Sequence, residues 1–219
     1  MDAKEFVVEI GDTAIDVVTD IDVLEKVPII SWAIKAFTLK ETYQLKRLQI
    51  NTKAFLEALS QSNKEIIVRF AKRLEEDPIF AEEFSDTVLS ILIESQKPIK
   101  ATMVGSLVVA LVRGQISKQE FDDMSLLIQS SSVPALTALQ YFFKRTRGKP
   151  YAREAQCHEE PLLMSLGVGS RNGGTFQISK IEKKLFYYGC RDLLSNDEGY
   201  LPDEWQRSFE GLRREDMNL

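Results

Sequence analysis

Residues 98–145 read PIKATMVGSLVVALVRGQISKQEFDDMSLLIQSSSVPALTALQYFFKR, and this stretch decides the fold class. Pro98 suits a first helical turn, where its missing N–H is not needed. Met103, Leu107 and Leu111 then recur at helical spacing, and Gly114 stops the run. Ser117 followed by Glu120 is a capping-box pattern, which opens a second helix through Phe121, Met124, Leu127 and Ile128. Pro134 starts a third, carrying Leu136, Leu139 and Phe143. Three apolar stripes separated by short breaks describe packed helices, not strands.

The same punctuation extends upstream. Asp77-Pro78 supplies a cap and a first-turn proline for a helix with Phe80, Phe84, Val88 and Leu92. Ser62 with Glu65 forms another capping box before Ile66, Ile67, Phe70 and Leu74. Leu48, Phe55, Leu56 and Leu59 mark a long helix whose outer face carries Lys40, Lys46, Arg47 and Lys53. Nearer the start, Phe6, Ile10, Ala14, Val17, Ile21 and Leu24 form one stripe, and Ile29 to Phe37 reads as a short apolar core helix after Pro28. The run Val27 to Leu39 is too short for a membrane span, which takes about 20 residues.

Downstream the character changes. The stretch 144–153 (KRTRGKPYAR) is basic, contains Gly148 and Pro150, and has few apolar anchors, so it reads as a linker. After it, Leu162, Leu163 and Leu166 indicate a short helix. Asn172-Gly173-Gly174 marks a tight turn, and Thr175 to Ile178 a strand. Ser179 with Glu182 opens a further helix through Leu185 and Phe186. A last helix follows Pro202 and keeps Trp205, Phe209 and Leu212 on its buried side. The expected organisation is a mainly α protein: a helical bundle over 1–143, a basic linker over 144–153, and a small α+β unit over 154–219.

Charge is distributed unevenly. The formal net charge is −5, which argues against a protein coated in nucleic acid. Residues 1–25 hold eight acids against Lys4 alone, a local charge of −7. Residues 144–191 hold ten Lys or Arg against four Glu, a local charge of +6. Lys144, Arg145, Arg147, Lys149, Arg153 and Arg171 are therefore the candidate contacts for a nucleic acid or an acidic partner.

Two local resemblances add to this reading. The run Leu162-Leu163-Met164-Ser165-Leu166-Gly167-Val168, then Gly173 to Ser179, then a helix, resembles the end of a winged-helix domain. Over about residues 158–195 it implies a short helix, a hairpin wing and duplex binding. Here the would-be reading helix begins with Glu159 and Glu160, whose charge repels phosphates. Ala110 to Glu120, ending Gly114-Gln115-Ile116-Ser117-Lys118-Gln119-Glu120, is similar to part of the TerB-like helical module of bacterial stress proteins, a likeness spanning about 97–130. Arg113 stands where that family shows an acid, so the family's metal binding is not carried over. Together the resemblances imply an accessory factor of bacterial stress or phage defence.

Catalytic chemistry has little material. His158 is the sole histidine, no Gly-x-Ser-x-Gly elbow or Gly-Lys-Ser/Thr phosphate loop occurs, and Asn172 stands where a dinucleotide fingerprint needs its third glycine. Cys157, His158 and Cys190 lack paired zinc-ligand spacing, and without a secretory signal the two cysteines are expected as free thiols in the cytoplasm. Glu75, Glu76, Asp77, Glu82, Glu83 and Asp86 read as a solvated face. No cofactor, metal or catalytic residue is assigned, and membrane contact is not expected. The residues favour a non-catalytic interaction or regulatory protein, working through a protein partner or self-association. The runner-up is a winged-helix DNA-binding regulator; the DNA binding expected is weak, strongly salt-dependent and without base preference, and tight sequence-selective binding would favour the runner-up.

Overall fold

The computed structural model describes residues 42–60, 64–153 and 159–190. The helices expected within 1–41 and after Pro202, the first residues of the Ser62/Glu65 capping box, and Cys157 and His158 lie outside them. Helix accounts for 74% of the described residues, against roughly a third in an average globular protein, so the mainly α reading holds for them. The chain divides into two compact units, Met1–Gln129 and Ser130–Leu219.

The first unit contains α1 (Thr42–Ser60), α2 (Lys64–Glu76), α3 (Pro78–Glu94), α4 (Pro98–Val112) and α5, which runs Lys118–Ser130 across the division. The helix starts follow their local chemistry. The Asp77 carboxylate accepts from the Phe80 N–H at 3.0 Å, and Pro78 occupies the first turn. At α5 the capping box closes reciprocally. The Ser117 N–H donates to Glu120 Oε2 at 3.0 Å, and the Glu120 N–H donates to Ser117 Oγ at 3.2 Å. Gly114 takes φ +68°, the left-handed conformation that ends α4 at no steric cost.

Packing within this unit is dominated by α1 against α4. A Cβ on Gly105 would lie 2.8 Å from both the Ala58 Cβ and the Phe55 carbonyl oxygen, so glycine permits this close crossing. Aromatic rings fill the other helix junctions. Phe84, 1% exposed, lies edge-on to Phe70 at 4.9 Å and stacks on Phe121 at 5.4 Å. Two helix ends are closed by side chains from elsewhere in the unit. Asn51 Nδ2 donates to the Leu92 and Ser95 carbonyls at 2.8 and 2.9 Å, and Lys100 Nζ donates to the Gln129 carbonyl at 2.9 Å.

In the second unit α6 (Val133–Arg145) is followed by β1 (Tyr151–Ala152), α7 (Glu160–Ser165), β2 (Gly169–Asn172), β3 (Thr175–Ile178) and α8 (Lys180–Leu185), which runs into a π-helical turn over Phe186–Cys190. The strands form an antiparallel sheet in the order β1-β3-β2. Asn172 pairs with Thr175, so Gly173-Gly174 is the two-residue hairpin loop, with φ +58° at Gly173. The core joins Phe142, Phe143, Phe176 and Phe186, with Phe143 stacked on Phe186 at 4.7 Å. Gly169 leaves room for the Phe176 ring, whose Cζ lies 2.2 Å from where a Cβ would be. Gln140 Nε2 donates to the Cys190 carbonyl at 2.8 Å and ties the π-helical turn to α6.

Two details differ from the sequence expectation. The compact division falls at Gln129/Ser130, whereas the expected linker over 144–153 lies inside the second unit. That stretch holds the last turn of α6, a helix stop and β1. Gly148 terminates the helix, its N–H donating to the Phe143 carbonyl at 2.8 Å, and the Pro150 carbonyl accepts from the Ile178 N–H at 2.8 Å. Breaker residues mark the ends of ordered elements as readily as they mark linkers. The second difference is at α8. Ser179 occupies the N-cap position, but its hydroxyl donates to the buried Glu182 carboxylate and makes no bond to a helix N–H.

Candidate interaction surface

The six candidate cations separate into two groups. Lys144 and Arg145 lie in the last turn of α6, where positive charge is favoured by the helix dipole. Arg145 reaches Glu159 at 3.1 Å, both side chains mostly buried, with its guanidinium 5.9 Å from the Phe142 ring. Arg171 grips Glu160 with two bonds, Nε to Oε1 at 2.7 Å and Nη2 to Oε2. Sheet register explains this pair. Arg171 lies opposite Phe176, itself paired with Ala152, so it belongs to the inner face of the sheet. The outward row is Tyr151, Gln177 and Ser170, all exposed.

Arg147, Lys149 and Arg153 form the other group. All three are exposed, and among the described residues no carboxylate pairs with them. Arg147 has φ +53°, an uncommon conformation for a residue with a Cβ, and it follows from the tight stop of α6. Arg153 stands 5.9 Å from the ring of Tyr151, which is itself 37% exposed. The structure thus places an aromatic ring and three cations within seven residues around β1.

Two features of this unit were not visible in the sequence. Glu159 and Glu160 are neutralised by Arg145 and Arg171, so the expected repulsion of phosphates from α7 is largely cancelled. Over residues 130–153 and 159–190 nine Lys and Arg stand against three Glu, a net charge of +6. Each of those carboxylates bonds within the unit: two to arginines, and Glu182 to Ser179. Positive charge therefore predominates in the described part, and Glu182 is buried and held by a hydroxyl rather than by a cation. The second feature is the outer face of α7. Leu163 is buried, while Leu162 and Met164 are 40% and 48% exposed, next to exposed Pro161 and Ser165. No side chain there offers the forked hydrogen bonding that reads base edges.

The first unit offers less. Lys118 pairs with Glu83, and both a short hydrogen bond and the carboxylate charge raise its pKa. Burial pushes the Asp122 carboxyl upward, aided by Glu83 and Asp123 and opposed by Lys118. Among the described residues no group of three or more His, Cys, Asp or Glu is placed to hold a metal ion. Nor is any described helix long and apolar enough to cross a membrane. Cys190 is fully buried, and desolvation raises its thiol pKa far above the ordinary value, which suppresses thiolate chemistry. No protein family, curated protein or solved structure matches this chain.

Proposed function

We propose that the protein is a non-catalytic interaction or regulatory factor whose second unit docks an acidic protein partner. The observation that carries this reading is that Glu159 and Glu160 pair with arginines inside the unit and Glu182 is buried, which leaves Arg147, Lys149 and Arg153 exposed around Tyr151. Cations bordering an aromatic residue suit an acidic peptide, with charge steering the encounter and the ring adding contact area. The likeness to the TerB-like module over about 97–130 supports a setting in bacterial stress or phage defence, and self-association through the acidic residues 1–25 belongs to the same reading.

A winged-helix DNA-binding regulator is the alternative. It is favoured by the β1-β3-β2 sheet with a short helix just before the hairpin. It is disfavoured by the exposed Leu162 and Met164, where base-reading side chains would be needed. Titration of the full chain with a synthetic peptide of residues 1–25 and with mixed-sequence duplex DNA, over a range of salt, separates the two. Peptide binding lost in the Arg147→Ala/Lys149→Ala/Arg153→Ala variant supports the first reading. Tight, sequence-selective duplex binding at physiological salt would replace it with the second.

A further inference from the structure

Strand β1 is an outer strand of the sheet, and its pairing with β3 fixes where its backbone groups point. The Pro150 carbonyl accepts from the Ile178 N–H at 2.8 Å, so Pro150 turns its C=O toward β3. Antiparallel partners alternate between hydrogen-bonded and non-bonded pairs. Tyr151, opposite Gln177, is therefore in a non-bonded pair, and its N–H and C=O point away from β3. Among the described residues no strand pairs with β1 on that side. Side chains alternate as well: Lys149, Tyr151 and Arg153 are exposed, whereas Ala152 is buried and Pro150 half-buried. One open donor and one open acceptor thus belong to an exposed aromatic residue with a cation two residues to either side. The other outer strand, β2, offers no such combination. Helix α7 packs against it, and its one cation, Arg171, is turned inward to Glu160.

We propose that β1 takes up an extended acidic segment of the partner as an added antiparallel strand, with carboxylates two residues to either side of the residue facing Tyr151. This inference deepens the acidic-partner reading and rests on it. The register follows from the backbone, because the central ligand residue exchanges both hydrogen bonds with Tyr151. Its side chain then stands on the same face as the Tyr151 ring, where a β-branched residue packs well. Ligand residues two positions before and after share that face and come opposite Arg153 and Lys149. Acids there meet opposite charge directly, whereas acids one position nearer the centre turn to the face of buried Ala152. Backbone pairing extends little further toward α6. The Lys149 N–H already donates to the Thr146 carbonyl at 3.2 Å, and its carbonyl accepts from Thr146 Oγ1 at 2.7 Å. The backbone therefore sets register and direction, while the side chains supply most of the affinity.

The probe is a labelled peptide, Thr-Glu-Thr-Val-Thr-Glu-Thr, titrated into the full chain at low salt by fluorescence anisotropy. N-methylation of the central Val removes the N–H that reaches the Tyr151 carbonyl and should weaken binding about tenfold. N-methylation of the Thr after it alters an N–H directed away from β1 and should change binding by less than about twofold. Exchanging each Glu with the Thr nearer the Val keeps composition and charge but should also cost about tenfold. Arg153→Glu should weaken the peptide, and Lys in place of its first Glu should restore binding to that variant. Selective loss at the central position together with that rescue supports strand addition. If acidic peptides bind but the two methylated forms are indistinguishable, or the Glu positions do not matter, strand addition fails and the acidic-partner reading stands. If neither this probe nor the peptide of residues 1–25 binds, both fail, and tight binding of a single-stranded oligonucleotide would put a nucleic acid in their place.

Discussion

Asn51 bears on the whole first unit, and its replacement has a calculable effect. Its side chain is 2% exposed, and the amide donates to the carbonyls of Leu92 and Ser95 at the C-terminal end of α3. Those carbonyls have no partner within their own helix, so the amide satisfies acceptors that are otherwise buried and bare. Each buried group left unsatisfied costs about 1–3 kcal/mol. Arg47 still donates to the neighbouring Glu94 carbonyl at 2.9 Å and limits the loss. Asn51→Ala should therefore destabilise by about 2–4 kcal/mol, the two penalties overlapping as the helix end relaxes. With a urea slope of about 2 kcal/mol/M, the midpoint followed by far-ultraviolet dichroism falls by about 1–2 M. Asn51→Asp sharpens the test. A carboxylate facing two carbonyl oxygens is disfavoured, so the folded-state pKa lies above the unfolded value of about 3.9. A protonated Asp can donate, so its stabilising contribution is present in acid and lost as pH rises through the folded pKa. Relative to wild type, this variant should weaken steadily from acid to neutral pH. An Asn51→Ala protein within about 0.5 kcal/mol of wild type, or an Asn51→Asp profile parallel to wild type, refutes the reasoning.

Changing Arg147, Lys149 and Arg153 together to Ala should leave the urea midpoint nearly unmoved, because the side chains are exposed, while reducing the salt slope of any duplex binding by about three. Asp122→Asn should stabilise the first unit at neutral pH, since the folded state raises that carboxyl's pKa and disfavours its charge. The gain should vanish in acid, where the wild-type carboxyl is protonated, as paired denaturation curves at the two pH values will show. Gly169→Ala drives a methyl into the Phe176 ring and should destabilise the second unit by about 1–3 kcal/mol, read as a lowered melting transition in calorimetry.

Most of the helical organisation was legible because its signals are local. Asp77-Pro78, the Ser117/Glu120 box, Pro134 and Gly114 each act within one helical turn, and each does in the structure what its chemistry dictates. The hairpin loop at Gly173-Gly174 is local for the same reason. Strand β1 was not legible. Two residues have no periodicity, and Tyr151-Ala152 becomes a strand only because β3, some 25 residues on, offers the pairing partner. The candidate surface was half legible. Composition identified a basic region, but the Arg145–Glu159 and Arg171–Glu160 pairs depend on where α7 packs between α6 and β2. Those contacts set Arg145 and Arg171 apart, as internal braces, from the exposed Arg147, Lys149 and Arg153.

Strand β1 also bears on the protein's behaviour in concentrated solution. A sheet border exposes unpaired N–H and C=O groups that can template growth by another chain. Here that border is two residues long, Pro150 just before it has no N–H to offer, and Lys149 and Arg153 flank it with like charge. Two molecules meeting border to border bring four cations together along a pairing too short to compensate for the repulsion. The basic character of this segment thus opposes edge-to-edge association. Engineering that removes this positive charge, and also replaces Pro150 with a β-branched residue, would lengthen the border and invite fibrous self-assembly.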